Sequence, residues 1–91
     1  MIICEVIGHV WATKKEDSLN GLKLMVVKQV DYYSDNQGAS FVAADIVGAG
    51  IGEKVLVVSG STARHAFGND SVSVDAAIVA IIDSLEVEQA L

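Results

Sequence analysis

The sequence is poor in the residues from which disulfides and metal sites are built, with one cysteine, Cys4, and two histidines, His9 and His65. One thiol cannot form a disulfide within the chain and is too few for a cysteine-based zinc site. Neither histidine has the HxH or HExxH spacing that places two metal ligands together. We therefore expect no metal or cofactor, a reducing environment, and a Cys4 that is simply buried in a strand.

Proline is absent, and no apolar run approaches the ~18 residues that suggest a membrane-spanning helix. Glu5 lies where a signal peptide would lead into its apolar segment, so we expect a cytoplasmic protein with no membrane partner. Basic residues are also few: six against twelve acidic ones, for a net charge of −6. Because phosphate backbones bind clustered Lys and Arg, nucleic acid is not an expected partner.

Apolar side chains are abundant, at 52% of the 91 residues. A chain of this length predicts one domain, residues 1–91, with a thin core, because small domains bury a smaller share of their surface. The surplus must then line an interface, a ligand pocket or a membrane-facing surface. Since the membrane is excluded by the short apolar runs, an interface is favoured; self-association is a common way for small scaffolds to gain stability.

Segments rich in Ile and Val, separated by polar or glycine-containing loops at 14–21, 31–38 and 68–74, indicate an all-β protein. The five predicted strands are residues 2–13, 22–31, 40–47, 53–59 and 76–85. Gly8 predicts a bulge or bend in the first strand. Residues 61–67 predict one helical turn with Ser61 as its N-cap. This order is typical of a small five-stranded OB-like β-barrel with one short helix before the last strand.

The last segment leaves an alternative open. A helix over residues 74–90 also accommodates its apolar residues, although their β-branched character favours a strand. The tail at 86–91 is polar enough to be a frayed end or a short edge strand.

Glycines at 48, 50 and 52 suggest a nucleotide-binding loop, but their spacing is G-x-G-x-G and a strand follows. The dinucleotide fingerprint needs G-x-G-x-x-G and a helix N-terminus that faces the phosphates. We interpret the segment instead as a tight turn at which two chain segments approach closely.

Ser61 and His65 are four residues apart and would share one helical face, as a nucleophile and a base do. No sequence context supplies the third group or the oxyanion hole that such a pair requires. Arg64 is interpreted as an ion-pair partner within or between subunits. Carboxylates beside apolar strands, at Asp45, Asp75 and Asp83, are expected to accept backbone N–H bonds or to pair with charges.

The chain resembles the EutN/CcmL family of bacterial microcompartment vertex proteins over essentially its whole length. The stretches that carry the resemblance keep their order and spacing: VIGHV (6–10), ATK (12–14), LNGLKL (19–24), AADIVGAGIGE (43–53), VLV (55–57), SGSTAR (59–64) and DAAIVAIID (75–83).

The resemblance implies an OB-like barrel that forms homopentamers at the vertices of a microcompartment shell, with hexameric shell proteins on the facets as partners. It implies a structural protein rather than an enzyme. It also implies that two stretches lie at the subunit interface or the axial opening. The candidate residues in them are Asp45, Gly48, Ala49, Gly50, Gly52, Glu53, Ser61, Thr62 and Arg64.

Two other functions remain open. An OB-type barrel can be a binding module for a small ligand or an oligonucleotide. A hydrolase that uses Ser61 and His65 is the third possibility.

Overall fold

The computed structural model describes residues 1–30, 38–68 and 74–86, and strands predominate in this part of the chain. A short helix, α1 (Ser61–Ala66), precedes the last strand, and a 3-10 turn (Asp17–Leu19) interrupts the first loop. The strands are β1 (Ile2–Val10), β2 (Lys23–Gln29), β3 (Ser40–Asp45), β4 (Lys54–Ser59) and β5 (Ala76–Ile81). The all-β prediction is confirmed, and the alternative of a helix over 74–90 is wrong across β5.

The strands close into a barrel in the order β1-β2-β3-β5-β4, and β4 pairs back onto β1. All neighbours are antiparallel except β3 and β5, which run parallel. Because β5 lies between β3 and β4, the chain must cross the end of β5 to pass from one to the other. Residues 46–53, here called the crossing loop, make this passage. The architecture is the predicted five-stranded OB-like barrel with one short helix.

The barrel interior is one apolar cluster. It is supplied by inward-facing residues of all five strands and by Ala49 of the crossing loop, whose burial shows that this loop closes one end of the barrel. The buried members are Cys4, Val6, Met25, Val27, Ala43, Ala49, Val55, Val57, Ala76 and Ile78.

Helix α1 packs on the outside of the barrel. Ala63 is fully buried there against Val58 and Ala77, and Phe67 and Val79 border the contact. The six-residue helix therefore owes its position to a small second cluster over β4 and β5, since isolated helices this short are not stable in water.

A register shift between Val6 and Gly8 confirms the bulge predicted in β1. Several strands are shorter than predicted. β1 ends at Val10, β3 at Asp45 and β5 at Ile81. For β3 the reason is local, because the Asp45 side chain bonds to the backbone that follows it.

The helix start also differs from the prediction. Ser61 is the first helical residue, and the N-cap is Gly60, which has φ 65° and no side chain to cap with. Gly60 instead donates its N–H to the Asp75 carbonyl at 2.8 Å. The chain reverses sharply between β4 and α1, and a positive φ favours glycine over serine at the reversal.

The predicted loop at 31–38 lies, apart from Gly38, outside the described residues. The same holds for most of the predicted loop at 68–74 and of the tail at 86–91. Within the described residues, no helix is long and apolar enough to span a membrane.

Candidate assembly surface

Asp45 organises the crossing loop from the end of β3. One carboxylate oxygen accepts the N–H groups of Val47 and Gly48 at 2.9 and 3.1 Å, and the other accepts that of Ala49 at 2.7 Å. The side chain is fully buried, and the Lys23 ammonium lies 3.5 Å away. Lys23 also donates to the Ala49 carbonyl at 2.8 Å. A carboxylate with three N–H donors and a cation is well compensated for its burial.

Glu53 holds the other end of the same loop. Its side chain accepts the Gly50 N–H at 2.6 Å, and its own N–H donates to the Gly50 carbonyl at 3.2 Å. Two backbone hydrogen bonds then join this end of the loop to β1. The Gly52 N–H donates to the Val6 carbonyl at 2.8 Å, and the Val6 N–H donates to the Glu53 carbonyl at 3.0 Å. This close approach of two chain segments confirms the interpretation of the glycine-rich segment as a tight turn. Lys54, the start of β4, follows directly, so no helix is present to bind phosphate.

The crossing loop exposes three apolar side chains although its backbone is tied down at both ends. Ile46, Val47 and Ile51 are 43%, 39% and 67% exposed. We call these three residues the apolar tip. Aliphatic groups held in water by an ordered loop are a feature of binding surfaces rather than of a solvated turn.

The second group of candidate residues lies on α1. Ser61 and Thr62 are exposed, and Arg64 is half-buried. Across residues 1–30, 38–68 and 74–86, Arg64 has no carboxylate partner within 4.0 Å. Its predicted ion pair is therefore not made with that part of its own chain.

The two candidate groups are not brought together within one subunit. The crossing loop precedes β4 and α1 follows it. Six extended residues separate the two ends by roughly 20 Å. If both groups take part in assembly, they do so at different places on the subunit surface.

A third apolar area lies on the barrel wall. Ile3, Leu56 and Ala80 are paired across β1, β4 and β5, and their side chains face outward. With Ile82 and Leu85 they line a groove of about 410 Å³, which the polar residues Asp83 and Ser84 border. We call this the wall groove. The unbroken apolar run at 55–58, which puts apolar side chains on both faces of β4, is the sequence feature that agrees with it.

The remaining sequence candidates have simpler surroundings. Cys4 is fully buried in the barrel, which confirms the expectation that it is simply buried in a strand, and burial raises the pKa of its thiol to about 11. His9 stacks on Trp11, with ring centroids 4.0 Å apart and planes 9° from parallel. Among the described residues, no three His, Cys, Asp or Glu side chains are placed to hold a metal ion.

The glycine spacing predicts the loop but not which of its side chains are exposed. Ile51 lies between two of the glycines and Lys23 lies in a predicted strand, so neither residue stands out in the sequence. Ala49 also lies between two glycines and is fully buried, so the glycine pattern does not tell which of the two side chains is exposed. The contact of Lys23 with Ala49 spans 26 positions and leaves no local pattern.

The fold defines the class: the chain is a small OB-like barrel, and hydrogen bonds from its own side chains hold an exposed apolar loop in shape. The chain belongs to the family described as ethanolamine utilisation protein EutN/carboxysome, whose model matches residues 1–83.

Individual relatives agree with this assignment. The chain is 44% identical to the microcompartment shell vertex protein GrpN of Rhodospirillum rubrum, over 94% of this chain and 97% of that protein. It is 47% identical to the carboxysome shell vertex protein CcmL of Nostoc sp. PCC 7120, over 100% of this chain and 91% of that one. The solved structure of GrpN, described as a pentameric microcompartment shell protein, matches with a TM-score of 0.85 at 41% identity, over 97% of this chain and 100% of that one.

Proposed function

We propose that this protein is a structural subunit of a bacterial microcompartment shell, which forms a homopentamer and occupies the vertices. The observation that carries the proposal is the match to pentameric GrpN, which leaves almost no part of either chain uncovered. The exposed apolar tip and the wall groove support it, because a soluble subunit gains stability by covering such surfaces.

The role is structural rather than catalytic. The described residues hold no cluster of metal ligands. Cys4 is buried within the barrel, and the pKa near 11 keeps its thiol protonated at neutral pH. The candidate residues of the crossing loop hold backbone in place: Asp45 and Glu53 accept main-chain N–H groups rather than face a cleft.

Native mass spectrometry of the purified chain tests the pentamer directly. A single species of five 9.5 kDa chains is expected at micromolar concentration. A persistent monomer, or a ring of another number, would contradict the proposal.

The vertex role and the hexameric partners need a second experiment. Flat hexagonal layers do not close without five-fold positions, so co-expression with the hexameric proteins of one shell is expected to give closed particles that contain this chain. Without the chain, the same hexamers should give open sheets or tubes. Closed particles that form equally well without the chain would contradict the vertex role.

One observation favours the alternative of a binding module. Trp11 is 84% exposed and lies with His9 and Lys15 beside a cavity of about 370 Å³. Aromatic groups beside cations are the elements with which OB folds bind single strands. The emission of Trp11, the only tryptophan, would report binding in a titration with single-stranded DNA at low salt. Tight binding that weakens with salt would support the alternative.

A further inference from the structure

The apolar tip is prepared for binding before any partner arrives. Asp45 and Glu53 hold the crossing loop through four hydrogen bonds to backbone N–H groups. The order of the loop therefore exists in the free chain, and little further entropy is lost when Ile46, Val47 and Ile51 dock. Nothing flexible has to be arranged at the moment of contact.

The apolar tip cannot fill the wall groove of its own chain. Ala49, next to the tip, is fully buried in the barrel core, and Asp45 accepts its N–H and that of Gly48. Swinging the tip onto the outer wall would expose Ala49 and break those bonds. The tip and the groove share no residue, so one chain can use both at the same time.

Size favours the wall groove over the other apolar hollow as the place where the tip is received. A cavity of about 150 Å³ accommodates one benzene-sized group. The groove, at about 410 Å³, has room for two or three aliphatic side chains. A smaller cavity of about 190 Å³ beside Leu24 and Val42 has room for only one.

A closed ring with an odd number of subunits needs two different surfaces on each chain, one for each neighbour. We propose that the apolar tip of one chain inserts into the wall groove of the next, and that repetition of this junction closes the ring. The inference rests on the proposed pentamer, and it assigns which surfaces meet within it.

Two substitutions damage one surface each. Ile51→Asp places a charge at the apolar tip and leaves the groove intact. Leu56→Asp places a charge in the groove and leaves the tip intact. Each variant alone is expected to be monomeric at concentrations at which the unaltered chain is fully pentameric. Val42→Asp is the matched control, because Val42 is 47% exposed and belongs to neither surface, and it should keep the ring.

The decisive step is to mix the two defective variants. An intact tip from the Leu56→Asp chain and an intact groove from the Ile51→Asp chain can form one junction, and the two remaining surfaces are both damaged. Native mass spectrometry should therefore show dimers with one chain of each kind and no larger species. Ala80→Glu blocks the same groove and replaces Leu56→Asp if circular dichroism shows that variant unfolded.

The outcomes separate this proposal from the pentamer itself. A monomeric unaltered chain would overturn both. A pentamer that survives Ile51→Asp or Leu56→Asp would overturn only the assignment of surfaces, and would leave the groove for a different shell protein. Variants that are monomeric alone and remain monomeric when mixed would show that tip and groove do not meet.

Discussion

At the scale of single residues, Asp45 is the side chain on which most of the crossing loop depends. Replacing it with alanine removes the acceptor of three N–H groups, one of them buried, and leaves the Lys23 ammonium without its anion. We expect Asp45→Ala to lower the free energy of unfolding by about 3 kcal/mol, because buried donors without acceptors cost about 1–3 kcal/mol each and water reaches the more open ones. Urea denaturation at a fixed protein concentration measures this.

The control for that experiment is Asp17→Ala. Asp17 is exposed and belongs to neither the apolar tip nor the wall groove, and surface substitutions of this kind change stability by less than about 0.5 kcal/mol. If both variants lost the same free energy of unfolding, Asp45 would contribute to stability only through its charge and not through its hydrogen bonds. Asp45→Asn should fall between the two, because the amide oxygen still accepts some of the N–H bonds.

Cys4 gives a prediction about pH. Burial raises the pKa of its thiol to about 11 in the folded chain, above the value near 8.5 of a free thiol. The folded state therefore favours the protonated form. That contribution to stability is complete below pH 8.5 and is lost as the pH rises toward 11, because the unfolded chain then releases a proton that the folded chain retains.

Two measurements check the Cys4 prediction. The thiol should react with Ellman's reagent at pH 8 only in urea, and the midpoint of urea unfolding should fall between pH 8.5 and 10.5. In a Cys4→Ala variant, whatever its absolute stability, the part of the pH dependence due to the thiol should vanish. Rapid labelling of the folded protein would contradict the burial.

At the scale of elements, the crossing loop has a defined shape because two of its glycines occupy the left-handed region, with φ of 82° at Gly48 and 94° at Gly52. A Cβ at either position would meet no atom within 4 Å, so an added side chain costs conformational strain alone. We expect Gly52→Ala to lower the free energy of unfolding by about 1–2 kcal/mol, the usual cost of left-handed backbone with a side chain. Thermal and urea unfolding would measure it.

Gly8→Ala is the matched comparison for the loop glycine. Gly8 lies in β1 without a positive φ, and an added Cβ would lie 3.5 Å from the Val26 Cβ, an ordinary contact. Its substitution should be neutral or slightly stabilising, because alanine restricts the unfolded chain. If Gly8→Ala lowered the free energy of unfolding more than Gly52→Ala, stability would depend more on the bulge in β1 than on the left-handed turn of the crossing loop.

The existence and order of the elements could be predicted from sequence, because Ile- and Val-rich segments such as 53–59 carry a strong local signal. Their ends could not. β3 stops at Asp45 because the carboxylate of Asp45 accepts hydrogen bonds from the backbone N–H groups of the residues at 47, 48 and 49. The start of α1 is set by a hydrogen bond from the Gly60 N–H to the Asp75 carbonyl, 15 positions further along the chain. Local propensity contains neither interaction, which is why Ser61 was wrongly predicted as the cap.

The residues that shape the candidate site could be predicted from the sequence, but the side chains that it exposes could not. The glycines and carboxylates of the crossing loop stood out as residue types, and the structure shows that they shape the backbone. The side chains available for contact are their plain aliphatic neighbours. Ile46, Val47 and Ile51 look like core residues in a sequence, and only the buried Ala49 between them shows which way the loop faces.

At the scale of the whole molecule, the apolar surplus and the acidic charge act against each other. Apolar surface on the tip and groove favours association, whereas every chain brings a net charge of −6 to the ring. Like charges around a closed ring repel one another, and the repulsion is long-ranged at low salt. The stability of the assembly is then the difference between a short-range attraction and a screened repulsion.

This balance predicts the direction of the salt effect. The Debye length falls from about 10 Å at 0.1 M to about 3 Å at 1 M ionic strength, so added NaCl weakens the repulsion and leaves apolar contacts intact. Dissociation of the ring on dilution should therefore require lower protein concentrations at 1 M than at 0.1 M NaCl, as followed by sedimentation velocity.

The opposite result would mean that ion pairs dominate the junction. Arg64, which has no carboxylate partner within the described part of its own chain, would then be the first candidate. Arg64→Gln separates the cases, because it should leave the salt dependence unchanged if the junction is apolar and should abolish salt-induced dissociation if Arg64 bridges two subunits.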